Sequence, residues 1–115
     1  MKKIEVCTIN ELNSSVKKVV IADGKEILII YSDGKYYAVD NICPHAKSRL
    51  FSGRVEDGTL TCSSHGTCFD LETGAIRIDK IDEDLRELID VDNLPFGPLK
   101  TFSIWIENGM VVIGV

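Results

Sequence analysis

Four Asx-Gly dipeptides set the strongest limit on how this chain can fold. Asp23-Gly24, Asp33-Gly34, Asp57-Gly58 and Asn108-Gly109 each sit between short runs rich in β-branched and aromatic residues. Such dipeptides accept the positive backbone dihedrals of tight two-residue turns, so each predicts a hairpin. Val16 to Ile21, Glu26 to Tyr31 and Lys35 to Val39 then read as a three-strand meander. Ile27 to Ile30 is apolar without alternation, which predicts a central strand covered on both faces. Ile4, Val6 and Ile9 suggest a first strand over residues 1–9, followed by a turn or single helical turn over Asn10 to Ser15. Lys100 to Ile106 and Met110 to Val115 form the last hairpin, with Phe102, Ile104 and Ile106 on one face. Many short strands with little helix imply an all-β chain, an antiparallel sandwich or partly open barrel.

The stretch from Asn41 to Ile78 breaks the pattern. Its strands are short (Arg54-Val55, Thr59 to Thr61, Cys68 to Asp70, Ala75 to Ile78), and Gly, Ser, Thr and Pro separate them. A loop-rich subdomain of this kind suits ligand binding on a scaffold of strands. After it, Ile81, Leu85, Leu88 and Ile89 recur at helical spacing, with Asp82 as N-cap. That predicts one short amphipathic helical insertion within Asp79 to Asp92.

At 115 residues the chain reads as one domain over 1–115, large enough for a core of its own. Its net charge of -5 argues against nucleic-acid binding. The acidity is concentrated: Asp79 to Asp92 holds seven acids against Lys80 and Arg86, and the rest of the chain balances. No secretory signal or membrane span is legible, which predicts a cytoplasmic protein that does not bind a membrane. In that setting the four cysteines, Cys7, Cys43, Cys62 and Cys68, point to metal binding and not to disulfides. Cys7 and Cys68 read as buried free thiols.

Two of the cysteines pair with histidines. Cys43-Pro44-His45 is followed, after sixteen residues, by Cys62-Ser63-Ser64-His65. Soft sulfur and borderline nitrogen ligands suit iron or zinc. A zinc site stabilising an interaction module stays open on ligand type alone, although zinc fingers group Cys with Cys and His with His. Here each half mixes one of each.

The ligand boxes and their flanks resemble Rieske ferredoxins and the Rieske domains of oxygenases. The resemblance runs through Cys43 to Ala46, Leu50, Gly53, Gly58, Leu60 and Cys62 to Gly66. It continues in Phe69-Asp70-Leu71-Glu72-Thr73-Gly74, Pro98-Leu99, Phe102, Ile104 and Gly109, covering roughly residues 36–78 and 95–113. It implies a Rieske-type antiparallel β sandwich whose cluster-binding subdomain spans about 41–78. It also implies a [2Fe–2S] cluster, with Cys43 and Cys62 on the inner iron and His45 and His65 on the outer iron. The implied role is that of an electron carrier and not an enzyme. Electrons would pass from a reductase to a terminal oxygenase or other redox protein. The small subunit of a nitrite reductase-type complex is the alternative, and the complete ligand set argues against it.

Respiratory members of the family brace their two cluster loops with a disulfide; the matching positions here are Ser48 and Ser64. Where those members place Ser and Tyr to hydrogen-bond the cluster sulfurs, this chain has Thr67 and Phe69. Fewer donors leave more negative charge on sulfur, so the expectation is an unbraced, low-potential site. The first loop carries Lys47, Arg49 and Arg54 with no acid between Asn41 and Val55, which predicts a basic surface facing an acidic partner.

Overall fold

The computed structural model describes residues 2–44, 47–63, 67–77 and 98–115. Among them run nine strands: β1 (Lys3–Thr8), β2 (Lys17–Ala22), β3 (Lys25–Ser32), β4 (Lys35–Asp40), β5 (Arg54–Glu56), β6 (Thr59–Thr61), β7 (Cys68–Asp70), β8 (Thr101–Glu107) and β9 (Met110–Gly114). Six form one sheet in the order β1-β9-β8-β4-β3-β2, and β5-β6-β7 form a second. Every strand pairing is antiparallel. The expected all-β antiparallel architecture is therefore present, with the meander β2-β3-β4 forming one end of the larger sheet.

The Asx-Gly turns shape it. Asp23, Asp33, Asp57 and Asn108 have φ between 50° and 55°, and the glycine after each lies at 72° to 76°. Both central residues of each turn are left-handed, the geometry whose twist matches that of the strands it joins. A mirror-image choice would splay the hairpins.

Strand β3 separates two cores. Ile27 to Ile30 are all fully buried, and successive side chains point to opposite faces. Leu28 and Ile30 pack with Val39, Leu50, Leu60, Phe69, Leu71 and Leu99 between the two sheets. Ile27 and Ile29 pack with Leu12, Ala22, Ala38, Val111 and Ile113 on the other side. Each such side chain removed from water contributes about 1.5–3 kcal/mol of transfer free energy. The lack of alternation in sequence thus reflects a strand that serves both faces equally.

Where a single helical turn was expected, the chain forms a seven-residue helix, α1 (Ile9–Ser15). Thr8 caps it, its hydroxyl accepting from the Glu11 N–H at 3.2 Å. Leu12 anchors it in the second core. The helix stops at Val16, at φ 69° and ψ -38°, whose N–H donates to the Leu12 carbonyl at 2.6 Å. The Val16 carbonyl in turn accepts from the Tyr31 N–H at 2.8 Å, so the β-branched residue is held in a costly conformation by bonds on both sides.

The smaller sheet is built from three-residue strands, as their spacing predicts. Its expected fourth strand, Ala75 to Ile78, is represented by a single bridge from Ile76 to Phe69. The Asp70 N–H donates to the Ala75 carbonyl and the Arg77 N–H to the Cys68 carbonyl, so this edge hangs on β7 by separate bonds. At Gly74 (φ 79°) a Cβ would collide with the Leu99 carbonyl, so the close approach requires glycine. The expected helix of Asp79 to Asp92 lies outside the described residues.

Candidate metal centre

The two cysteines of the ligand boxes each open a loop of six residues. The first loop, 43–48, leaves from the end of β4 and is closed at its base by the bridge from Ile42 to Arg49. The Cys43 N–H donates to the Ser48 carbonyl at 2.8 Å. The second, 62–67, joins β6 to β7 above the paired Thr61 and Cys68. The Cys62 N–H donates to the Thr67 carbonyl at 2.8 Å. Each loop therefore begins with a cysteine, ends with a hydroxyl residue, and is closed from first residue to last by a backbone bond. Lys47 takes a left-handed φ of 59° and donates its N–H to the Cys43 carbonyl at 2.9 Å, tightening the first loop further.

Among the described residues, contacts from the first loop and from the turn after it reach the second loop. Ser48 Oγ lies 3.5 Å from Cys62 Sγ, an ordinary hydrogen-bond distance for the larger sulfur atom. Ser52 and Ser63 share a hydroxyl–hydroxyl bond of 3.2 Å. Gly53 allows the second approach: a Cβ there would come within 2.5 Å of the Thr61 carbonyl oxygen. As expected, no disulfide joins the loops; hydrogen bonds do.

Asn41 anchors the first loop to the sheet. It is fully buried and uses its backbone and side chain together. Its side-chain amide donates to Glu26 at 3.1 Å and accepts from the Phe51 N–H at 3.0 Å. Its backbone N–H donates to the Glu26 carbonyl, and its carbonyl accepts from the Leu50 N–H. Glu26 also receives Arg49 at 3.0 Å. The Arg49 and Asn41 bonds hold the Glu26 carboxyl below its ordinary range.

Cys43 and Cys62 are both buried, at 0% and 1% exposure, and both belong to the core between the sheets. Both are free thiols. Burial against leucines and Phe69 disfavours a lone thiolate, and an unpaired charge there would be costly. A cationic metal neutralises it, so two buried thiols in one core, each bonded to Ser48, fit the thiolate half of an iron–sulfur ligand set. His45 and His65 fall outside the described residues; in sequence they are the third residue of the first loop and the fourth of the second. Among the described residues no group of three or more His, Cys, Asp or Glu gathers to hold a metal.

The remaining expected residues sort by position. Thr67 is a buried polar residue at the end of the second loop. Phe69 is fully buried between the sheets and carries no donor. Cys68 is buried beside Thr61, outside that core. Cys7 packs in the second core, where burial pushes its thiol up in spite of nearby Lys18, so it stays protonated and inert.

The basic first loop is less basic in space than along the chain. Arg49 pairs with Glu26, and Arg54 with Glu56 at 3.3 Å. Both acids come from outside the 41–55 stretch, which is why it reads as uncompensated. Asn41, Ser48 and Glu26 are the functional supports that sequence reading missed. Asn41 directly follows a strand, just before a ligand loop, which is a weak signal. Its partner Glu26 is fifteen residues away, and no local pattern marks that pairing.

The chain from residue 2 to 95 matches the family model of the Rieske [2Fe-2S] domain. It is 30% identical over 112 residues to the ferredoxin component of an alkene monooxygenase system from Xanthobacter autotrophicus, covering 96% of this chain and 80% of that one. It is also 30% identical over 118 residues to the 3-phenylpropionate/cinnamic acid dioxygenase ferredoxin subunit of Photorhabdus laumondii, covering 100% and 96%. Among solved structures, the ferredoxin of carbazole 1,9a-dioxygenase from Nocardioides aromaticivorans superimposes with a TM-score of 0.76 at 22% identity, covering 98% and 97%. With its two closed cysteine loops and this match over most of its length, the chain belongs to the Rieske [2Fe-2S] domain family.

Proposed function

We propose that this chain is a soluble one-electron carrier that receives electrons from a reductase and delivers them to a terminal oxygenase. The observation that carries the reading is the pair of closed loops, each opening on a buried thiol, in a chain whose ferredoxin relatives match it almost end to end. Cys43 and Cys62 hold one iron through thiolate sulfur, and His45 and His65 hold the other through ring nitrogen. A bound [2Fe–2S] cluster supplies one-electron redox chemistry, at a higher potential than an all-cysteine site because neutral imidazoles replace two anionic ligands.

The residues of the chain do the rest. Leu50, Leu60, Phe69, Leu71 and Leu99 exclude water from the thiolate side. Asn41 and the two backbone bonds fix the loop ends. Phe69, unlike a tyrosine, adds no hydrogen bond to sulfur, which places the potential low for the family. The chain acts as one unit over 1–115, with 41–78 as the cluster-binding part. Free cysteines throughout the described residues fit a reducing cytoplasm. Among those residues no helix is long and apolar enough to cross a membrane.

Anaerobic purification tests the reading. The expected protein is coloured, holds about two iron and two acid-labile sulfide per chain, and shows a paramagnetic resonance signal on reduction. Cys62→Ala abolishes all three. A colourless protein holding zinc refutes the carrier role in favour of a structural metal. Stable isolation with a large reductase chain moves the assignment to the small subunit of a nitrite reductase-type complex.

A further inference from the structure

Ser48 is the last residue of the first cysteine loop. In this chain its hydroxyl reaches the other loop, with Oγ 3.5 Å from Cys62 Sγ. Its position is firmly set, because its own carbonyl closes the first loop by accepting from the Cys43 N–H. One residue therefore touches both cysteines, one through its backbone and one through its side chain. In the free thiol form either atom can be the donor of the Oγ–Sγ bond. A thiolate bound to iron carries no hydrogen and can only accept. Metal binding therefore fixes the direction of the bond, from the Ser48 hydroxyl to the Cys62 sulfur.

We propose that Ser48 is a positioning residue that sets the reduction potential of the site by donating a hydrogen bond to the ligand sulfur of Cys62. The inference rests on the ligand assignment proposed above. Its physical basis is charge: reduction adds negative charge that spreads onto the ligand sulfurs, and a donor at sulfur stabilises the reduced form more than the oxidised one. The bond offsets part of the donor loss at Phe69.

The test is a redox titration of the cluster-loaded protein, followed by paramagnetic resonance at constant pH. Ser48→Ala lowers the equilibrium constant for reduction about tenfold, which for one electron is about 59 mV. Ser48→Thr keeps the hydroxyl and stays within about threefold of the parent. An unchanged midpoint in Ser48→Ala, with parental iron and sulfide content, overturns the proposal. So does an equal fall in both variants, which would report repacking and not the donor. If Ser48→Ala cannot retain the cluster while Ser48→Thr does so at the parental midpoint, the hydroxyl is the required feature and the proposal stands. Loss of the cluster from both overturns it. A parent protein without iron and sulfide fails the ligand assignment instead, and metal analysis distinguishes that result before any titration.

Discussion

The six-stranded sheet and the loop-bearing three-stranded sheet are held together in different ways. In the larger sheet, order is distributed: five antiparallel strand pairings share the load, one of them (β1–β9) shifting register between Glu5 and Cys7, and β3 buries four consecutive side chains into two cores. In the smaller sheet, strands of three residues pair too briefly to be stable alone, and order is concentrated in particular contacts. Asn41, Ser48, Gly53 and Gly74 each make a specific approach that no neighbour duplicates. A scaffold can rely on averages over many similar side chains, whereas a binding site depends on individual atoms.

The two faces of β3 allow that contrast to be broken directly. Leu28→Ala and Ile29→Ala each remove a fully buried side chain from the same strand and are expected to cost about 2–5 kcal/mol in denaturant unfolding. Only Leu28 faces the core that contains Cys43 and Cys62. At equal loss of stability, Leu28→Ala is expected to release iron faster and Ile29→Ala is not. Equal release rates would show that the two cores act as one.

A smaller effect is expected at Val16, which belongs to the scaffold but behaves like a site residue in its strained backbone. Val16→Gly relieves the positive φ but raises the chain entropy of the unfolded state, for a net gain of about 1 kcal/mol in thermal or urea unfolding. A loss of stability would show that the Val16 side chain, 42% exposed, contributes more packing than its position suggests.

The smallest expected effect is electrostatic. The Glu26 carboxyl is held below its ordinary value of 4.5, first by Arg49 and then by Asn41. A lowered folded value means that the contribution is present above about pH 4.5 and is lost as pH falls through the folded pKa. The urea midpoints of the parent and Glu26→Gln are therefore expected to differ near pH 7 and to converge as pH falls through the lowered folded value. A constant offset across that range would assign the effect to packing.

The scaffold was largely legible in sequence because its signals are local. Positive-φ dipeptides mark four turns, and apolar runs mark the strands between them. The burial of Cys43 and Cys62 at the heads of two loops was in keeping with their spacing in sequence, because cysteine carries chemistry that few other residues offer. Helix α1 was read too short, since Thr8, its cap, lies inside the expected first strand. Ser48 was read as a missing cysteine, because its contact with Cys62 spans fourteen residues and depends on how two loops meet. Neutralisation of Arg49 by Glu26 escaped for the same reason: charge pairing across strands leaves no trace in a linear count.

The closure of each cysteine loop by a single backbone bond also bears on speed. When an electron arrives, the transfer rate depends on how far the surrounding nuclei must shift to accept the new charge. Loop ends already tied at 2.8 Å leave little room for such shifts, so the frame presents nearly the same arrangement before and after. The entropy of ordering those ends is spent once, during folding, and not at each passage. Rapid turnover between two partners then requires no conformational gate at the cysteine side of the centre, only close approach and a modest driving force.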